Sequence, residues 1–190
     1  TAIVPVGGVE QSGPDIALGK HDARAKVLAE RIARELEHTL VAPVVVYVPE
    51  GSIEPPTSHM RFPGTLTVPP TVFRATIESI GASLKLHGFR TVVLIGEHGS
   101  YQGDLASAAA DLNRKWAATS ARAYFVPEYY RAATVGFEPV LRSHGFSNTE
   151  IGTHAGVADT SLTLSLAPAD VRHEGLKAGV DLCLLYTSPS

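Results

Sequence analysis

Phe89–Gln102 reads FRTVVLIGEHGSYQ, and this stretch decides the fold. Its first eight residues, Phe89–Gly96, form a short apolar, β-branched run, as a buried strand requires. The run ends in the turn Glu97-His98-Gly99-Ser100. A helix follows, with Leu105, Ala108, Ala109, Leu112 and Trp116 on one face. Ala121–Val126 (ARAYFV) then reads as another strand. Working backward, Thr71 caps a helix carrying Phe73, Ile77, Ile80 and Leu84, which stops near Gly88. Val41–Val48 (VAPVVVYV) is strand-like, with Pro43 marking a late start or an edge. Asp22 caps a helix with Ala25, Leu28, Ala29, Ile32 and Leu36 on one face, and Thr1–Val6 is a short apolar strand. After Val126 the chain reads as loop-rich until Val157–Leu166. The order βαβαβαβ predicts an α/β fold, a mainly parallel sheet with helices on both faces.

The 190 residues suit one domain with a sizeable core, and 44% hydrophobic with 18% charged residues is ordinary for a globular chain. A net charge of -3 with no Lys/Arg cluster argues against a nucleic-acid partner. No apolar run is long enough to cross a bilayer, so no membrane partner is expected. A small neutral or weakly charged molecule is the expected substrate. Both ends read as cut. Thr1 lies inside a strand, so an initiator Met or targeting segment is expected upstream; the cytoplasm is the default compartment and the periplasm stays open. Residues 183–190, CLLYTSPS, fit nothing before them and resemble the translated read-through of a sequencing adapter. The native domain is therefore expected to span residues 1–182. Cys183, the one cysteine, falls in that tail, leaving no disulfide, thiolate site or Cys nucleophile to consider.

In parallel sheets ligands sit beyond the carboxyl ends of the strands. Here the loops after the strands, residues 7–22, 50–64 and 97–102, carry most of the histidines and isolated acids. Glu10, His21, His98, His154 and Asp159 are the candidates for chemistry. Asp22 reads as a cap, and Glu97 and Asp15 as solvated or supporting acids. His38, His87 and His173 read as surface positions. No HExxH, GxGxxG, Walker or GxSxG spacing is present, which leaves nucleotide binding and a Ser triad without support.

Four segments in order, VPVGGVEQSGPDIALGKHD, SHMRFPGTLTV, GFRTVVLIGEHGSYQ and GTHAGVADTSLTLSLAP, resemble the creatininase (creatinine amidohydrolase) family. The resemblance implies a three-layer αβα sandwich and metal-dependent hydrolysis of a non-peptide, in some members cyclic, C–N amide bond. It also implies a homo-oligomer. Other members act on a cofactor precursor peptide, so the family leaves the substrate open. Its pattern E-Q-H-G-P-H-x-P-L-G-T-D binds two metals. Glu10 matches the Glu, Ser12 replaces the His, and His21 replaces the bridging Asp, with Asp22 one residue later. In N-G-H-G-G-N, His98 keeps the metal-binding His and Tyr101 replaces the Asn. In H-A-G-x-x-E-T-S, His154 matches the catalytic His and Asp159 replaces the Glu.

An imidazole offers one lone pair to one cation, so His21 cannot bridge. The expectation is therefore one divalent ion per chain rather than two, Zn first, Mn or Fe next. Glu10, His21, His98 and Asp159 are its expected ligands, with Asp159 alternatively orienting His154. His154 would shuttle protons, and Asp22, Glu97, His59, Ser12, Ser100 and Tyr101 would support the ligands or meet the substrate. A non-hydrolytic metal-binding sensor, and a lactone hydrolase or isomerase, remain alternatives.

Overall fold

In a computed structural model of the chain, residues 1–176 are described; the tail at 183–190 lies outside them. Four parallel strands form one sheet in the order β2-β1-β3-β4. They are β1 (Ala2–Val6), β2 (Leu40–Val41), β3 (Thr91–Gly96) and β4 (Arg122–Phe125). The long helices are α1 (Lys20–Leu36), α2 (Pro70–Leu86) and α3 (Gln102–Lys115), and α7 (Val157–Leu166) follows near the end. No helix among the described residues is long and apolar enough to cross a membrane.

Strand side chains alternate between faces, and this alternation builds two cores. Val4, Val6, Val92 and Leu94 point to one face and pack with Phe73 and Ile77 of α2 and Leu105 and Leu112 of α3. Ile3 and Ile95 point to the other and pack with Ala29 and Ala33 of α1. The result is the expected three-layer αβα sandwich. At the other end of the register, Val6 pairs with Gly96, so the loops carrying Glu10 and His98 leave the sheet side by side.

Several local expectations are corrected. β2 covers only Leu40–Val41, on the sheet edge, with one further bridge from Val6 to Val45. Pro43, which lacks an N–H, ends the ladder early instead of delaying its start. Asp22 does not cap α1. The helix begins at Lys20 after Gly19, and Asp22 accepts a hydrogen bond from Gly8 N at 2.9 Å. Thr71 does not cap α2, whose first residue is Pro70, a residue favoured at N1 because its missing N–H costs nothing there. The inward face of α1 is also rotated from the expected one. Lys20, His21, Arg24, Ala25, Ala29 and Ala33 are buried, whereas Leu36 is 59% exposed. Finally, the segment read as loop-rich contains α4 (Pro127–Ala133), α5 (Glu138–Ser143) and α6 (Asn148–Ile151). They are too short to show a helical period.

Candidate metal centre

The loops after β1 and β3 are held together by one side chain. Tyr101 is fully buried against Phe73, and its hydroxyl reaches Val6 O (2.9 Å) and Gly7 O (2.6 Å) while accepting from His98 N (3.0 Å). Gly7 permits the close approach of α1, since a Cβ there would lie 2.0 Å from Asp22 Oδ1.

Glu10 stands at the centre, with no exposed surface. Its Oε2 lies 2.8 Å from His59 Nδ1 and 3.0 Å from His98 Nε2. Neither approach has hydrogen-bond alignment, so this buried oxygen has no donor. His154 Nε2 is farther off, 3.6 Å from Oε1. Glu10, His59, His98 and His154 each offer one ligand atom, all within 4.8 Å of one another. Acceptor atoms facing one another without shared protons are what a cation would bind. The residues present therefore fit a divalent ion.

The other lobe of Glu10 has a different neighbourhood. Oε1 is 2.7 Å from both Lys20 Nζ and His21 Nε2. Lys20 also donates to Ser12 Oγ and lies 3.3 Å from Asp159 Oδ2. Arg24 donates from Nη1 to Asp159 Oδ1 and from Nε to Glu97 Oε1, each at 2.6 Å. Tyr129 donates to Glu97 Oε2 at 2.7 Å. Three acids and two cations thus close on one another beneath the site.

These contacts set the protonation states. Burial works to raise the Glu10 carboxyl, but the Lys20 charge and the His21 contact hold it far below the usual range. Asp159 is likewise opposed by burial but held at about 2 by Lys20 and Arg24. Burial pushes the His154 imidazole down to about 4, leaving it neutral at pH 7. Glu50 is the exception among the acids. Burial and the Glu10 charge push it up to about 8; neither oxygen has a hydrogen-bond partner, and Oε1 is 3.3 Å from His98 Nδ1. Ser100 Oγ is 2.9 Å from the same nitrogen.

The expected site residues converge, with changes of partner. His21 and His98 are close, their ring centroids 5.1 Å apart. His21 sits on the Lys20 side of Glu10, outside the four-residue group, and Asp159 is engaged by Lys20 and Arg24. His59, read from the sequence as substrate-facing, is in the group. Lys20, Arg24 and Glu50 were not singled out for chemistry; their only signal was placement in the loops or helix starts after β1 and β2. Asp15 lies apart, beside the bridge from Ile16 to Val171. A cavity of about 430 Å³ opens over the group, walled on the far side by Tyr130, Thr134, Ile151, Ala158 and Leu162.

The creatinine amidohydrolase family model matches residues 1–182. The mycofactocin precursor peptide peptidase of Mycobacterium tuberculosis (strain CDC 1551 / Oshkosh) is 27% identical over 186 residues, covering 93% of this chain and 62% of that protein. The chain thus spans less than two thirds of that relative's length. Among solved structures, a creatinine amidohydrolase (creatininase) superposes with a TM-score of 0.71 at 24% identity, over 93% of this chain and 68% of that one. "Creatininase Mn" gives 0.70 at 25%, over 90% and 66%. With the sandwich, the strand-end loops and the family match over residues 1–182 in agreement, the chain belongs to the creatininase (creatinine amidohydrolase) family.

Proposed function

We propose that this chain carries a one-metal amidohydrolase centre that cleaves a non-peptide C–N amide bond, such as a cyclic amide, in a small molecule. The observation that carries the reading is the buried, donor-less Glu10 Oε2 faced by His59 and His98. A carboxylate with imidazole nitrogens is the donor set of hydrolytic Zn sites and also accepts Mn or Fe. This ligand set exchanges His21 and Asp159 for His59. When bound, a divalent ion there would polarise an amide oxygen and lower the pKa of bound water to about 7.

The chain's own groups do the rest. His154, neutral at pH 7 and the most exposed of the four, takes a proton from water and returns it to the leaving nitrogen. Ser100 bonds Nδ1 of His98, with Glu50 Oε1 3.3 Å from the same nitrogen, and so aims its Nε2 at Glu10. Ile151, Ala158 and Leu162 offer the substrate an apolar wall. A homo-oligomer is part of the same reading, tested by light scattering.

The mycobacterial relative's name favours a second substrate class, a peptide amide, acted on by the same centre. The test is to strip the protein with chelator and reload it with Zn, Mn or Fe(II). Amine release is then followed from cyclic ureas, lactams, formamides and short peptides. Metal-dependent turnover of an amide is the expected result. A loaded protein inert across the panel would be a sensor, and one that opens only lactones would overturn the amide reading.

A further inference from the structure

The Glu10 carboxylate divides two unlike neighbourhoods, and the second is built around Lys20. That side chain is only 1% exposed, in a position where lysine is rarely found unless fully paired. Its three N–H donors have three oxygen neighbours: Glu10 Oε1 at 2.7 Å, Ser12 Oγ, and Asp159 Oδ2 at 3.3 Å. The remaining Asp159 oxygen is taken by Arg24. The family pattern, by resemblance, holds its two metal ions with the help of a bridging Asp and a His, whose places His21 and Ser12 take here. Ser12 Oγ already accepts from the Lys20 ammonium, and the Glu10 and Asp159 oxygens beside it are paired with cationic N–H groups, so the residues do not fit a second ion.

Resting on the one-metal reading above, we infer that the Lys20 ammonium is a resident cation standing in for the second metal of the family's centre. The Glu10 carboxylate then lies between two positive charges, one exchangeable and one covalently part of the chain. Lys20 acts as a positioning residue through Glu10. It holds Oε1 and leaves Oε2 turned toward His59 and His98. Because the ammonium cannot dissociate, this half of the centre is indifferent to the supply of free metal. Removing it would uncover Glu10 Oε1, His21 Nε2 and Asp159 Oδ2, a donor set able to take a divalent ion.

The experiment counts metal. Wild type, Lys20→Arg, Lys20→Ala and Lys20→Gln are stripped, titrated with MnCl2 or ZnCl2, and analysed for bound equivalents. Wild-type crystals soaked in millimolar Mn are examined by anomalous scattering. The expected result is one equivalent and one anomalous peak for wild type, and one equivalent for Lys20→Arg. A second equivalent should appear in Lys20→Ala, bound at least tenfold more tightly than any second ion in wild type. Lys20→Gln keeps the length without the charge, and should also gain affinity for a second ion. Two peaks in wild type would overturn the inference while leaving the metal-hydrolase reading intact. So would folded Lys20→Ala and Lys20→Gln proteins that stay at one equivalent. No retained metal in wild type would remove the metal reading itself, and this inference with it. Should neither neutral variant fold, the wild-type soak decides between one ion and two.

Discussion

Arg24 Nη1 donates to Asp159 Oδ1 over 2.6 Å, tying the second turn of α1 to the first turn of α7, while its Nε holds Glu97 at the end of β3. One guanidinium brackets three elements under the site. Arg24→Ala leaves two buried carboxylates short of a partner, and should cost about 3–5 kcal/mol in denaturant unfolding. Arg24→Lys should recover only part of that, since a point charge cannot serve both acids as a planar fork does.

Asp159 and Asp22 should give opposite pH signatures. Burial opposes ionisation of Asp159, but Lys20 and Arg24 hold its carboxyl at about 2, below the ordinary 3.8. The folded state therefore prefers the ionised form. That contribution is full above pH 4 and is lost as pH falls toward 2. Urea unfolding across that window should show Asp159→Asn lacking this part of the acid loss.

Asp22 runs the other way. Burial, with the charge of Asp170, pushes it from 3.8 up to about 6 despite the Gly8 N–H. Between those values the folded chain holds a proton the unfolded chain has released. Stability from this group should fall as pH rises from about 4 to about 6, then level off. Asp22→Asn should flatten that slope in the same assay.

His59 and His154 should separate in kinetics. His59→Ala should lower metal affinity, measured by competition with a chromophoric chelator. His154→Ala, whose imidazole stands farther from Glu10, should retain the ion and lose roughly 10²–10⁴-fold in kcat.

Glu50 supports His98 from behind. Glu50→Ala should weaken metal binding by less than the roughly 10–100-fold usual for a hydrogen-bonded orienting group, since Glu50 stands 3.3 Å from His98 without bonding it. Glu50→Gln, which keeps shape and polarity, should lose much less.

The parts of this architecture legible in the sequence are those with local signatures. FRTVVLIG announces a buried strand because Val92–Ile95 within it is an unbroken apolar run, and β3 is found there. Glu10, His98 and His154 were found by residue type at strand ends and by motif. Lys20 and Arg24 were not, because cations at a helix start ordinarily face water; the loops after β1 and β3 and the docking of α7 against α1 together bury them. Asp159 read as a ligand for the same reason, since its partners lie more than a hundred residues away. His59 sits in a loop with no period, so nothing local could tell a cavity wall from a place beside Glu10.

The phenol of Tyr101 divides the labour of the cleft. By joining Val6, Gly7 and His98 it makes the loops after β1 and β3 a single stiff block, seated on the core formed with α2 and α3. Beside α7, the opposing wall is built from α4, α5 and α6, which among them bury only Leu141 and Ile151. Segments with so little buried surface lie at the low end of local stability and open most readily. Recognition can therefore be retuned on that side, through Tyr130, Thr134 or Ile151, without disturbing the geometry around Glu10. A scaffold divided in this way can acquire new substrates by exchanging one wall while its chemistry stays in place.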